Sequence, residues 1–269
     1  RSRLETADLA SMSDVAMPHV RQGQDPDAPQ KSMPYQPLQG ADGACGVLST
    51  VSDLAKWDAM WMNEGRAGNK EFISERTFNT LTSVQLPTRG QGAGVALGWF
   101  VEENHGNKVI THSGGMPGFI LNHAVVPDKD LAVIALGNGE SYSVFAITEK
   151  ILDLYLGDGK ADPTTDLLRY VQADRTEQAK RRQDRIEARI KGTKPTVDVI
   201  ALNGTWTDKV YGDAVISSMN GSPVLTFSHA KQLFTGALEH WHYDTWKWNH
   251  ADPFLEPGYV TFEFDTDHK

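Results

Sequence analysis

The chain has 269 residues, 39% of them apolar and 23% charged, and a formal net charge of −9. That length buries one good core and leaves room for a second small domain, while the acidic balance repels a phosphate backbone and argues against nucleic acid as a partner. No apolar run approaches the ~20 residues of a membrane span, and Cys45, the sole cysteine, rules out an internal disulfide.

The chain opens at Arg1-Ser2-Arg3-Leu4, without a methionine or a signal peptide, and reads as a piece of something longer. Residues 1–40 carry Pro18, Pro26, Pro29, Pro34 and Pro37 and few apolar runs, so extended, loop-rich structure is expected. Cys45, within Gly43-Ala44-Cys45-Gly46, reads as a small buried hydrophobe. Thr50 is then a candidate N-cap with Asp53 as its capping-box partner, and Leu54, Trp57, Met60 and Trp61 fall on one face of the helix that follows. A second short helix is expected over 72–81, and a glycine-rich loop bordering a cleft over 85–94.

From Leu97 the pattern changes to strands: 97–101, a turn at Asn104–Asn107, a strand into Val109 and Ile110, then 120–126, a turn at Pro127–Asp130, and 131–136. A closing helix is predicted over 142–156, ended by Gly157-Asp158-Gly159. Residues 162–191 are strongly charged with thin apolar contacts, which predicts a solvated linker helix. Short β-like runs return in 204–264, punctuated by turns at Asn220-Gly221 and Pro257-Gly258. His240 and His242 are spaced to share a strand face, with His250 nearby, but no cysteine or carboxylate completes a tetrahedral zinc set, so they read as part of a packed aromatic wall.

Between the second and third strands of the hairpin series lies Thr111-His112-Ser113-Gly114-Gly115-Met116-Pro117-Gly118-Phe119. This segment resembles the serine β-lactamase-like and penicillin-binding-protein-like hydrolases, a family that includes class C β-lactamases, related esterases and D-amino-acid peptidases. There a Lys-Thr-Gly or His-x-Gly triad lies on the strand lining the active site, and the matching residues are His112, Ser113 and Gly114. The run Ser49-Thr50 followed by Asp53-Leu54-Ala55 is a second piece of the resemblance. It implies that His112 orients substrate or assists proton transfer, that Ser113 hydrogen-bonds it, and that Gly114 and Gly115 let the backbone approach, the Gly115 amide serving an oxyanion hole. The family's Ser-x-x-Lys nucleophile and Tyr-x-Asn motif do not precede His112. Ser228-His229-Ala230-Lys231 has the right spacing but follows the sheet in a β-like run, where i and i+3 side chains point to opposite faces; Ser52 and Lys56 are one residue too far apart.

The expected fold is therefore α+β: residues 1–158 form the C-terminal part of a β-lactamase-like serine hydrolase domain, with an antiparallel sheet flanked by helices. Residues 159–195 form a charged helical linker, and 196–269 a small, incomplete lipocalin-like β-barrel of the kind appended to such hydrolases. The implied activity is acyl-enzyme hydrolysis of ester, amide or β-lactam bonds, on a small-molecule or peptide substrate, without a cofactor. The N-terminal part of the same protein would supply the nucleophile, and relatives of this kind point to the bacterial periplasm or secretion. The alternative is a non-catalytic ligand-binding or assembly module based on the barrel, which is rich in Trp241, Tyr243, Trp246 and Trp248.

Overall fold

The computed structural model describes residues 2, 9, 12–21, 28–36, 41–88, 93–219, 221–252 and 254–264. Contacts between residues divide the chain into two units, Arg1–Val20 with Gln30–Gln172, and Arg21–Pro29 with Ala173–Lys269.

The first unit opens with strands β1 (His19–Arg21) and β2 (Gln30–Ser32), followed by the single turn α1 (Asp42–Cys45) and by α2 (Val51–Met62). Thr50 caps α2 as its sequence predicts: its backbone is extended and its side chain accepts from the Asp53 amide. The capping box is not reciprocal, because the Asp53 carboxylate accepts from the Ser2 amide and from Lys56 instead. The buried face of α2 keeps Met60 and Trp61 as expected and departs from the expected row at Trp57. Trp57 is 48% exposed, and the inward row runs through half-buried Leu54, Asp58 and Trp61. Cys45 is half-buried, its thiol on the Ala41 carbonyl, rather than a core residue.

The short ribbon β3 (Arg66–Ala67) and β4 (Lys70–Glu71) leads to α3 (Glu75–Leu81), which begins three residues later than the pattern suggests because Ser74 supplies the cap. Next come β5 (Leu86–Pro87), β6 (Gly94–Val95), β7 (Phe100–Asn104), β8 (Asn107–Met116), β9 (Phe119–Val126), a 3-10 turn over Pro127–Lys129, and β10 (Leu131–Gly137). Of the loop expected over 85–94, residues 89–92 lie outside the described residues, and its flanks form β5 and β6. These six strands make one antiparallel sheet in the order β10-β9-β8-β7-β6-β5.

Both faces of that sheet are covered. Ile110, Val125 and Val101 pack on one side with Met60, Trp61, Phe78 and Trp99, so that α2 and α3 close that face. Val109, Ala124, Val126 and Val133 pack on the other side with Leu152 of α4 (Ser143–Leu156). Alternate residues of each strand thus serve two cores, the consequence of a period-2 side-chain pattern. The helix α5 (Pro163–Glu187) has no buried residue and carries ion pairs such as Arg181 with Glu177 along its surface, in keeping with its charge run.

The second unit is a single antiparallel sheet of β11 (Gly204–Asp208), β12 (Gly212–Met219), β13 (Ser222–Phe227), β14 (Thr235–His242), β15 (Thr245–His250) and β16 (Gly258–Thr261), each strand paired with the next. The expectation of an incomplete lipocalin-like barrel holds in its coarser part, a distinct C-terminal β-sheet domain. The sheet curls into an open half-barrel, and no pairing joins β11 to β16 among the described residues. Its core is filled by Ile216, Leu225, Leu238, Trp246 and Trp248, together with Leu202 and Val199 from the 3-10 turn before β11 and Phe262 after β16. The two histidines at 240 and 242 do not share a regular face, because the register shifts between them. His240 Nε2 meets the Tyr243 carbonyl, while His242 Nδ1 accepts from the Ile190 amide. Ser228–Ala230 forms a 3-10 turn, not a strand, so the opposite-face argument against Ser228 and Lys231 does not hold. Asn220 of the predicted Asn220-Gly221 turn lies outside the described residues.

Candidate active site

All four residues singled out by sequence lie consecutively on β8, and the strand's geometry separates their roles. Two tight turns fix its hydrogen-bond alternation. His105-Gly106, both in the left-handed region, join Asn104 to Asn107, and Pro117-Gly118 joins Met116 to Phe119. The residues flanking a two-residue hairpin turn exchange hydrogen bonds, and such pairs then alternate with pairs that do not. Asn107, Val109 and Thr111 therefore turn their backbone groups toward β7, and Ile110, His112, Gly114 and Met116 toward β9. Ser113 and Gly115 continue the first series. Pairing with β7, however, ends at Phe100–Thr111, so the Ser113 and Gly115 amides face a strand edge that has no strand partner among the described residues. Two N–H groups spaced along one open edge are the kind of donors that an oxyanion accepts.

Side chains alternate as well. His112 and Gly114 lie on the face shared with Ile110 and α2, whereas Ser113 and Gly115 lie on the face shared with Val109 and α4. His112 is exposed, with the Phe100 ring beside it at 5.7 Å between centroids. Ser113 is half-buried opposite Asn122, so its hydroxyl and the His112 imidazole leave the strand in opposite directions. Gly114 packs under Leu121, and a Cβ there would make only ordinary contact at 3.4 Å; at Gly115 the nearest atom would be the Phe119 carbonyl oxygen at 3.9 Å. Neither glycine is required by crowding. Gly118 is, since it has φ +78° and a Cβ there would lie 2.5 Å from Pro18 Cβ. The chain before β1 thus rests on the turn, with the His19 amide donating to the Gly118 carbonyl at 3.3 Å.

Two strands from Gly115, reached through Ile120 and Gly137, lies a cavity of about 390 Å³ lined by His19, Gln30, Asn138, Gly139, Ser141 and Ser143 among others. Asn138 ties its wall together, donating to the Met17 carbonyl while its own carbonyl meets His19 Nδ1. A broader hollow of about 700 Å³ runs along the outer side of α3 and includes none of the β8 residues.

The Beta-lactamase family model matches residues 3–157, more than half of the chain. The chain belongs to the β-lactamase family. A family model described as a domain of unknown function (DUF3471) matches residues 188–269. Among curated proteins, an unguisins hydrolase (ungD) of Aspergillus violaceofuscus is 26% identical over 174 residues, 58% of this chain and 30% of the fungal protein. Its counterpart (ungD') of Aspergillus campestris is 24% identical over 139 residues, 50% of this chain and 25% of that protein. The chain thus spans less than a third of the length of these curated relatives. Among solved structures, an octameric penicillin-binding protein homologue from Pyrococcus abyssi shares the fold at a TM-score of 0.52 and 18% identity, with 98% of this chain and 53% of that one covered.

Within this β-lactamase-family sheet, sequence reasoning missed one charged pair. Asp58 of α2 is fully buried and one of its carboxylate oxygens contacts Nδ1 of His123 at 3.2 Å. The signal was present: Asp58 stands four residues after Leu54 and three before Trp61, in the middle of the row that faces the sheet. A carboxylate at such a place demands a partner.

Proposed function

We propose that this chain is the C-terminal part of a serine hydrolase that acts by acylation and deacylation on an ester, amide or β-lactam carbonyl. A serine supplied from outside residues 1–269 attacks the carbonyl carbon, the leaving group departs with a proton, and water then releases the acyl group from the serine oxygen. His112 orients the substrate or passes the proton, the Ser113 and Gly115 edge amides are offered to the developing oxyanion, and the Ser113 side chain and Gly114 complete the wall of the cleft. The observation that carries this reading is the open edge of β8 beyond Thr111, with the exposed His112 beside it, in a chain of the β-lactamase family. The curated relatives, both named as hydrolases, support the reaction type.

The test is made on the complete protein. Labelling with a fluorophosphonate or a penicillin, read by intact mass, is expected to add one probe per molecule, at a serine outside this segment. His112→Ala is expected to lower turnover of an ester substrate by about a hundredfold or more, with the melting temperature nearly unchanged because the ring is exposed. Unchanged turnover in that variant removes His112 from the mechanism, and absence of any adduct removes the serine-hydrolase reading.

A further inference from the structure

Asp58 is the one carboxylate that α2 buries completely, and nothing in the roles given to β8 accounts for it. Its Oδ1 meets His123 Nδ1, while Oδ2 has no hydrogen bond in the structure. A buried carboxylate–imidazole pair of this kind seldom raises stability over an apolar pair of the same size, so the question is what its geometry achieves. A carboxylate only accepts hydrogen bonds. The contact therefore keeps a proton on Nδ1 of His123 and leaves Nε2 as the ring's second exchange position.

His123 lies directly opposite His112 in the β8–β9 register. By the alternation set at the Pro117-Gly118 turn this is a hydrogen-bonded pair, with Cα atoms about 5.5 Å apart and both side chains on the same face. The Trp99 ring flanks His123 at 5.2 Å between centroids, and Ile134 is its neighbour on β10. Asp58 of α2 is bonded to His123, and His112 of β8 is the cross-strand partner of His123 in the register. The exposed imidazole of the site thus has a mostly buried one opposite it across the strand pair, and that second ring is fastened to a buried carboxylate.

We propose that His123 is a positioning residue for His112: Asp58 fixes the His123 tautomer, and the fixed ring holds the His112 imidazole in one orientation across the strand pair. This inference rests on the reading of His112 as a site residue. An exposed strand histidine otherwise samples several rotamers, and a fixed neighbour on each side, Phe100 and His123, reduces that freedom before substrate arrives.

Ring-nitrogen NMR of this chain tests the coupling without reference to turnover. Asp58→Asn keeps the shape but offers an amide that donates to Nδ1, so the His123 tautomer is expected to change from Nδ1–H to Nε2–H. The His112 ring signals are expected to move with it, and to move again in His123→Gln, while those of His229 in the second unit stay in place. His112 signals that stay unmoved in both folded variants overturn the proposal. In the complete protein, both variants are expected to lower kcat about tenfold per site titrated by an acylating probe, with KM changed less than about threefold. A purely structural role would reduce the number of titratable sites and leave kcat per site unchanged, which also overturns it. A His112→Ala protein with full turnover would instead remove the site reading, whatever the NMR shows.

Discussion

Gly118 shows how one residue sets the end of the candidate site. It supplies the positive φ that the two-residue turn requires after Pro117, and its missing Cβ leaves room for Pro18 and the His19 amide. Gly118→Ala is expected to cost about 2 kcal/mol, from the left-handed conformation and from the displaced chain at Pro18. Urea unfolding at 25 °C measures it, and a loss under about 0.5 kcal/mol would show that residues 18–19 can leave the turn freely. Pro-Gly carries a local turn signal, but the expected strand ran only into Val109 and Ile110, and the turn at its far end was not placed. The contact with Pro18 was not legible at all, since it joins residues a hundred positions apart. The same holds for His123, whose partner Asp58 lies 65 residues upstream; periodicity marks a face as buried but does not say which charge on it finds a partner.

At the scale of the element, α2 divides in the same way. Its start is written in Ser49-Thr50-Val51-Ser52-Asp53, and the structure places the Thr50 hydroxyl on the Asp53 amide at 3.2 Å. Thr50→Ala is expected to destabilise the first unit by about 1 kcal/mol and Thr50→Ser to restore most of it, by denaturant titration. An alanine variant as stable as the parent would mean that the Ser2 and Lys56 bonds to Asp53 hold the helix end by themselves. The buried face of α2 was legible in part, since Met60 and Trp61 are buried as expected and Trp57 is not. Counting apolar residues favours Trp57, but the sheet beneath accepts the row of Leu54, Asp58 and Trp61, because His123 reaches up to meet a carboxylate there. The strands of the sheet were easier, since turn signals at Asn104–Asn107 and Pro127–Asp130 separate them and a one-residue slip would exchange the two cores.

At the scale of the whole molecule, each unit carries its own core, and the second shows why strand count does not foretell closure. Six short strands with turn signals suit a barrel, but closing one also requires a matching tilt and stagger. Among the described residues no pairing joins β11 to β16, and Leu202, Val199 and Phe262 pack into the core of the curled sheet. His250, the last residue of β15, has its ring tilted against Trp248 at 4.1 Å between centroids and near Phe234. Burial lowers the His250 pKa from its ordinary 6.5, and the Asp252 carboxylate opposes this only in part. The unfolded chain therefore takes up a proton at higher pH than the folded unit does. Stability contributed by neutral His250 is complete above pH 6.5, is lost as the pH falls from there toward the lowered value, and changes no further below it. Amide exchange in β15, corrected for intrinsic rates, is accordingly expected to be less protected at pH 5.5 than at pH 7.5. His250→Phe keeps an aromatic ring beside Trp248 and is expected to flatten that dependence. If parent and variant respond alike to pH, the half-barrel's acid sensitivity lies with another group, and the Trp248 contact holds a histidine for its shape rather than its charge.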